Sequence, residues 1–261
     1  MTDKVQRASD NEKIKADLLD EKTIRTIMKR FLGSKVADPE VTKYFKIING
    51  LHYAATNLGS AVLLYFKNKH DGTFNKGTGR TFYRKPLPKD VNEDYDLIPE
   101  YETILEGKKK IQRATGGTLE YPDVEGMFAK YNIKDFQEIV ISADDLLDFI
   151  AVHEAMVAAS KIGGAYNTAE FNLYVTNFTI EMYDSPLNFI WGCDIAEDIP
   201  VENLVQGYRY DFSLMVDVLK SLKDLKLETV SMYVKKENPI LFVGETIEYK
   251  FQFALQRKLT K

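Results

Sequence analysis

The residues with the clearest chemical potential are basic side chains on a helix-like segment near the start of the chain. Lys22, Arg25 and Lys29 follow one another at i, i+3 and i+7, and Arg30 lies at the edge of the same face. A row of cations on one side of a helix can lie along a phosphate backbone, which requires positive charge but no contact with bases. The spacing predicts contact with nucleic acid, and a solvated helix face is the alternative.

A second basic set occurs in the C-terminal half. Lys220 and Lys223 share one flank of a helix predicted over residues 213–225, and Lys226 follows it. We expect these three residues to meet the same phosphate backbone as the first set, and a solvated helix face is again the alternative. Further basic residues occur in two clusters, Lys108, Lys109, Lys110 and Arg113 in one and Lys76, Arg80, Arg84 and Lys85 in the other.

Catalytic chemistry finds little support in the sequence. It has no glycine-rich phosphate loop, no zinc-protease motif and no nucleophile elbow. His153 is a candidate general base, but it falls on the apolar face of a predicted helix, which favours a structural histidine. Cys193 is the only cysteine, has no evident base beside it and is interpreted as an inert thiol. We therefore predict no catalytic residue, no metal and no cofactor, with a nucleotide- or nucleic-acid-modifying enzyme as an alternative.

Composition and charge place the chain among globular proteins. Of its 261 residues 44% are hydrophobic and 28% are charged, and no apolar run approaches the length of a membrane-spanning helix. The net charge is −4, but residues 1–137 carry 24 basic against 20 acidic side chains and residues 138–261 carry 11 against 19. This asymmetry indicates either an anionic partner at one surface or chance clustering of charge in surface loops. The polar N-terminus lacks a signal-peptide core, so we expect an intracellular protein, cytoplasmic or nucleoid-associated.

The C-terminal half has the clearer pattern of elements. A strand over residues 138–141 precedes a helix to about residue 160, and Ser142 with Asp145 forms a near capping box at its start. Period-two runs then predict strands at 171–175, 179–183, 188–191 and 208–212. The helix over 213–225 follows, and strands over 229–234, 240–243 and 249–255 close the chain. The order indicates an internal repeat of a strand, a helix and a sheet.

The N-terminal half repeats this order less clearly. A helix is predicted over residues 20–32, followed by strands at 44–48, 51–55 and 61–66, with Asn49 and Gly50 as a hairpin turn. Residues 67–89 are interpreted as a long hairpin or loop. We expect a second helix over 90–106, short strands at 109–114 and 118–121, and an irregular connector over 122–137.

The second half resembles a domain of the DNA polymerase sliding clamps, most closely those of the bacterial β-clamp type. The resemblance is carried by apolar spacing in collinear order rather than by fixed polar residues. It comprises residues 141–150 (ISADDLLDFI) continuing to 156–160 (MVAAS), 171–183, 210–222 (YDFSLMVDVLKSL), 238–243 (NPILFV) and 251–259, and more weakly 44–64 and 121–123. About 120 residues match well and about 60 weakly.

The resemblance implies an α+β fold of two clamp-like domains, each with antiparallel sheets outside and two helices on its inner face. We predict a clamp-like domain over residues 1–121, possibly abbreviated, a connector over 122–137 and a second clamp-like domain over 138–261. Clamps of this family are rings of six such domains around duplex DNA, so a two-domain chain would form a homotrimer, as in some phage clamps. Two departures are the acidic residues of the helix after Ser142 and the lack of a clear second helix in the first half.

The function implied by the resemblance is that of a non-catalytic processivity factor which encircles DNA and tethers a DNA polymerase. Polymerase or clamp-loader peptides are expected to dock beside the connector, at Tyr121 and Phe136, and beside the last strand, at Phe251, Phe253 and Leu255. One alternative is a monomeric clamp-like accessory protein that binds DNA or a polymerase without closing a ring. Another is a structural viral or plasmid protein.

Overall fold

The computed structural model describes residues 19, 21–33, 38–48, 52–57, 60–66, 80–84, 94–95, 97–107, 109–159, 168–182, 189–227 and 229–258. The helices within these residues are α1 (Glu21–Arg30), α2 (Val124–Ala129), α3 (Ala143–Ala159) and α4 (Phe212–Asp224). The strands are β1 (Tyr44–Ile48), β2 (His52–Asn57), β3 (Ser60–Phe66), β4 (Arg80–Arg84), β5 (Asp94–Tyr95), β6 (Ile98–Glu106), β7 (Lys109–Leu119), β8 (Gln137–Ser142), β9 (Ala169–Leu173), β10 (Asn177–Met182), β11 (Phe189–Asp194), β12 (Val205–Tyr210), β13 (Thr229–Val234), β14 (Ile240–Glu245) and β15 (Tyr249–Leu255). Short 3₁₀ turns occur at Glu40–Lys43, Ile133–Asp135 and Val201–Asn203.

One antiparallel sheet of nine described strands joins the two halves of the sequence. Its order is β5-β4-β1-β2-β3-β15-β14-β13-β8. The two halves meet where β3 pairs with β15, with Val62 opposite Phe253 and Leu64 opposite Phe251. The hydrogen-bonded sheet contains strands from both sides of the predicted domain boundaries at residues 121 and 138. The division into domains stays a prediction.

Two smaller antiparallel sheets complete the described strands. One contains four strands in the order β11-β10-β9-β12, and the other is the hairpin of β6 and β7. In that hairpin Ile104 lies opposite Ile111, and the register shifts between Pro99 and Tyr101.

The main core lies between the nine-stranded sheet, the four-stranded sheet and the helices. Alternate residues of the strands point into it because side chains of a strand alternate between its two faces. Phe31, after the end of α1, stacks on Phe253 of β15 with ring centroids 5.0 Å apart. Helix α4 packs against both α1 and α3, so the three helices form a layer with α4 in the middle.

The opposite face of the large sheet has a smaller core of its own. Tyr121 just before the connector, Val124 within it and Ile98 from β6 are buried against β1, β2 and β3, where Tyr44 and Leu63 are also buried. The connector therefore covers the outer face of the sheet, on the side away from the helical layer.

The predicted α+β class is confirmed, and most predicted elements lie within two or three residues of the observed ones. The helix predicted over residues 90–106 is wrong, because residues 94–95 and 98–106 are extended and pair as strands. The short strands around Gly116 and Gly117 are one strand, β7, with Gly116 at a φ of +84°. The first half therefore has one described helix in the layer instead of the two expected. The hairpin turn at Asn49 and Gly50 and the glycines at 163–164 lie outside the described residues.

Candidate nucleic-acid interface

Local hydrogen bonds fix the start of α3 and α4. The Asp145 backbone N–H donates to Ser142 Oγ at 3.1 Å, and the Ser142 backbone N–H donates to Asp145 Oδ2 at 3.0 Å, which is the predicted capping box. The Ser142 hydroxyl also donates to Asp145 Oδ2 at 2.6 Å, and this bond, together with the one from the Ser142 backbone N–H, holds the pKa of Asp145 below its ordinary value. Asp211 caps α4 by accepting a hydrogen bond from the Leu214 backbone N–H at 3.1 Å.

Helix α1 places its cations as the sequence predicts. Ile24, Ile27 and Met28 are buried in the main core. On the other side of the helix, Lys22 is exposed, and Arg25, Lys29 and Arg30 are each half-buried. The apolar stripe thus anchors the helix and turns its basic side away from the core.

The basic residues of α4 have a different setting. Lys223 and Lys226 are exposed, and Lys226 lies beyond the helix end with a φ of +52°. Lys220 is half-buried, and its Nζ lies 3.8 Å from Glu154 Oε1 of α3. The seven predicted DNA contacts therefore lie on or beside two adjacent helices, and their role as contacts stays a prediction.

Acidic residues that the sequence reasoning did not select lie among these cations. Arg30 Nη2 forms an ion pair with Asp224 Oδ2 at 2.5 Å, and Arg30 Nη1 donates to Ser221 Oγ at 3.2 Å. Asp217 lies one turn before Ser221 on α4. The sequence contained this signal, because Asp217, Lys220 and Asp224 follow at i, i+3 and i+7 on one helix face.

Net charge falls steadily across the helical layer. Helix α1 carries four basic residues and one acidic residue, for a net charge of +3. Helix α4 carries two of each sign and is neutral, and α3 carries four acidic residues and no Lys or Arg. Positive charge is thus concentrated on the α1 side. Helix α3 is acidic, as its sequence indicated, which is unusual for a helix that lines a DNA channel.

Two titratable groups of the helical layer, Asp217 of α4 and His153 of α3, are perturbed by burial. Burial raises the pKa of Asp217 to about 6, against the opposing influence of Arg30 and Lys220. Burial lowers the pKa of His153, and its Nδ1 is buried without a hydrogen-bond partner. The His153 ring stacks on Phe149 at 6.4 Å and lies 5.6 Å from Phe212, which is a packed structural position.

Other chemistry receives no support from the described part of the chain. Burial and the charge of Asp145 raise the pKa of Cys193 to about 12, which suppresses its thiolate. No group of three His, Cys, Asp or Glu side chains within the described ranges could hold a metal ion. No helix among those residues is both long enough and apolar enough to cross a bilayer.

The predicted partner-binding residues divide between the two faces of the large sheet. Phe251, Phe253 and Leu255 have side chains at most 1% exposed, and they face the helical layer. They are core residues and offer no surface to a partner in this structure. The side chains of β15 that point to the outer face are Lys250, Gln252 and Ala254.

Tyr121 lies on the outer face of the large sheet, and Phe136 lies just before β8. Tyr121 is 9% exposed and lines a cleft of about 490 Å³. Phe136 is half-buried, packs edge-on against Tyr131 at 6.3 Å and has Lys235 Nζ 5.6 Å from its ring centroid. The other residues of the cleft are Lys46, Leu97, Ile98, Thr118, Leu119, Glu120 and Asp123.

Comparison with known proteins addresses the architecture as a whole. No protein-family model and no curated protein matches the sequence. Among solved structures, the fold is similar to the β sliding clamp of C. crescentus, with a TM-score of 0.52 and 12% identity over 90% of this chain. The chain has a sliding-clamp fold. It is also similar to the DNA polymerase sliding clamp of Bacillus subtilis (TM-score 0.50, 14% identity, 92% of this chain) and to the DNA polymerase III β chain of Streptococcus pneumoniae (0.50, 15%, 90%).

The sliding-clamp fold is present here over a shorter length than in these bacterial proteins. The match covers 64% of the C. crescentus and B. subtilis chains and 62% of the S. pneumoniae chain. The chain thus spans just under two thirds of each.

Proposed function

We propose that this chain is a non-catalytic DNA sliding clamp that assembles into a closed homotrimer around duplex DNA and tethers a DNA polymerase inside the cell. The observation that carries the proposal is the sliding-clamp fold, in which one face of a continuous sheet supports a layer of helices with a basic side. A linked ring needs no tight grip on DNA, so modest positive charge near α1 suffices.

Two strand edges support self-association. Within the described residues, β11 pairs only with β10, and the hairpin of β6 and β7 pairs with no other strand. An unpaired strand edge is a template for pairing with another chain. Ile190 of β11 is 61% exposed, which is consistent with a surface that another copy covers.

Cations lie on β7, opposite Glu106 and Glu102 of β6, and carboxylates lie beside β11. Lys109 and Arg113 are exposed on β7, whereas Asp194 ends β11 and Asp148 of α3 accepts a hydrogen bond from Trp191 Nε1 at 3.1 Å. A contact between different surfaces of identical copies closes into a ring when the rotation permits. We therefore propose that β7 of one copy meets β11 of the next.

The mass in solution tests ring formation. Light scattering after size-exclusion chromatography should give about three times the chain mass of 29.9 kDa. The paired change Lys109→Glu and Arg113→Glu should lower the mass, and Asp194→Lys should restore part of it. Lys236→Glu, an exposed residue in the turn after β13, is the control. A mass of one chain at high concentration would contradict the ring and favour the monomeric accessory protein.

DNA contact is tested by salt dependence on a short duplex. The triple change Lys22→Glu, Arg25→Glu and Lys29→Glu should weaken binding and flatten the dependence of log affinity on log salt. Changing Lys130, Lys134 and Lys236 to glutamate reverses the same number of charges at exposed sites away from the helical layer. Equal salt slopes for these two variants would remove α1 from the interface.

The cleft beside Tyr121 is our proposed docking site for a polymerase or loader peptide. Leu97 at its rim is 54% exposed, and the floor includes the buried Ile98, so an apolar peptide side chain has a place to bind. Leu97→Lys should reduce polymerase product length on primed template without changing the oligomeric mass. An unchanged product length would exclude this cleft.

The monomeric clamp-like accessory protein is the second candidate. It is favoured by the acidic charge of α3, since a helix without Lys or Arg is a poor lining for a DNA channel.

A further inference from the structure

The proposed DNA interface contains its own counter-charges, and the following inference rests on that proposed function. Arg30 belongs to α1, but both of its described side-chain partners, Ser221 and Asp224, belong to α4. The side chains of Arg30 and Asp224 are 23% and 37% exposed, so the pair lies at the surface of the helical layer.

The two carboxylates belong to the same helix, α4. Asp217 and Asp224 are separated by seven residues and lie on the same face of α4, with Lys220 between them. Ser221 Oγ donates to the Asp217 backbone carbonyl at 2.6 Å, which holds its oxygen toward Arg30. Lys220 is shared with Glu154 of α3 at 3.8 Å. Arg30 and Lys220 therefore each have a carboxylate beside them.

We propose that Asp217 and Asp224 weaken the hold of the helical layer on DNA by competing with phosphates for Arg30 and Lys220. A guanidinium binds a carboxylate and a phosphate with the same donors, so a phosphate must displace Asp224 before it can use Arg30 fully. The displaced carboxylate then repels the phosphate. Weak contact of this kind suits a protein that moves along DNA while a ring prevents its escape.

The test measures binding to a short fluorescent DNA duplex by anisotropy over a series of salt concentrations. Asp224→Asn and Asp217→Asn keep the side-chain shape and remove the negative charge. Together they should tighten binding about three- to tenfold at low salt and steepen the log–log salt slope by up to about one for each freed cation. Glu202→Gln combined with Asp198→Asn, both at exposed sites, removes the same number of negative charges and should change neither quantity.

A double-mutant cycle tests whether the aspartates change DNA affinity through Arg30. In the Asp224→Asn background, Arg30→Gln should cancel most of the gain in affinity, whereas in the wild-type background the same change should cost little. If the Asp224 carboxylate had only a structural role, Arg30→Gln would reduce DNA affinity equally in both backgrounds. Urea unfolding of each variant identifies any that fails to fold, and the folded Asp217→Asn variant then tests the competition alone.

The outcomes separate the two proposals. If wild-type protein binds DNA and the double aspartate variant has the same affinity and salt slope, the competition is absent and the proposed clamp function stands. If neither wild-type protein nor any variant binds DNA at low salt, both are contradicted. If only the aspartate variants bind, the inference is supported.

Discussion

The Tyr121 hydroxyl donates a 2.8 Å hydrogen bond to the backbone carbonyl of Ala54 in β2. A second carbonyl, that of Tyr44 in β1, lies 3.2 Å from the same oxygen. Burial raises the pKa of Tyr121, so the hydroxyl keeps its proton and stays a donor. The residue just before the connector is thereby fixed to the outer face of the large sheet.

Removing this hydroxyl should loosen the connector. Tyr121→Phe keeps the ring but removes the hydrogen bond to the Ala54 carbonyl, so the free energy of unfolding should fall by about 1 kcal/mol. Hydrogen exchange in α2 should become faster. Tyr174→Phe, at an exposed tyrosine, is the control and should change stability by less than 0.5 kcal/mol, about the value for surface positions. Equal effects of the two changes would contradict the role of the hydrogen bond.

Adjacent residues of β15 should respond very differently to truncation. Phe253→Ala removes a ring that stacks on Phe31 in the main core, which should cost about 3–5 kcal/mol in urea unfolding. Gln252→Ala changes a half-buried side chain on the outer face and should cost less than about 1 kcal/mol. A small loss of stability with Phe253→Ala, together with lost polymerase stimulation, would return Phe253 to the partner surface.

Asp217 should make stability depend on pH in an identifiable window. Its pKa is raised from 3.8 to about 6 by burial, and the charged groups around it are Arg30 of α1 and Asp211 and Lys220 on the α4 side. Because the unfolded state ionises first, the contribution of this group to the free energy of unfolding is full below about pH 4 and is lost as pH rises to about 6. Asp217→Asn should therefore be more stable than wild type by about 1–2 kcal/mol at pH 7, since solvent screens the partly exposed group, with no gain at pH 3.5.

This difference is measured by urea unfolding of both proteins between pH 3.5 and pH 7.5. Asp198→Asn, at an exposed loop carboxylate, provides the matched comparison. A stability difference that stays constant over the whole range would assign the effect to packing instead of ionisation.

Cys193 should react slowly with thiol reagents. Its pKa of about 12, against 9.0 for an ordinary thiol, lowers the thiolate fraction at pH 8 by about three orders of magnitude. The native protein should react far more slowly with an aromatic disulfide than the same protein in guanidinium chloride. Ser213→Cys in a Cys193→Ser background supplies an exposed thiol as control. Similar rates for Cys193 before and after denaturation would contradict the assignment.

The sequence was sufficient to predict elements whose apolar period is strong. Strands β13 and β15 were predicted with their observed bounds, and the capping box of Ser142 and Asp145 located α3. The helix predicted from the sequence at residues 98–106 is wrong for a physical reason. Strand β6 pairs with β7 across a turn at Gly107, and the many Glu, Leu and Ile residues in the segment suit a helix as well as a strand.

The site was less predictable than the fold. Period-two alternation marks Phe251, Phe253 and Leu255 as one face of a strand, but it does not say which face is covered by helices. The ion pair between Arg30 and Asp224 joins residues 194 positions apart, so only the packing of α1 on α4 brings it about. Counting cations alone missed the carboxylates that share their helix face.

The position of β15 has a consequence for the way the protein is made. This strand is among the last elements in the sequence, yet it lies at the centre of the nine-stranded sheet, between β3 and β14. Strands β1 to β3 therefore leave the ribosome with an exposed edge that stays unsatisfied until nearly 190 further residues have been synthesised. Premature termination before residue 249 should yield an aggregation-prone fragment instead of a smaller folded domain.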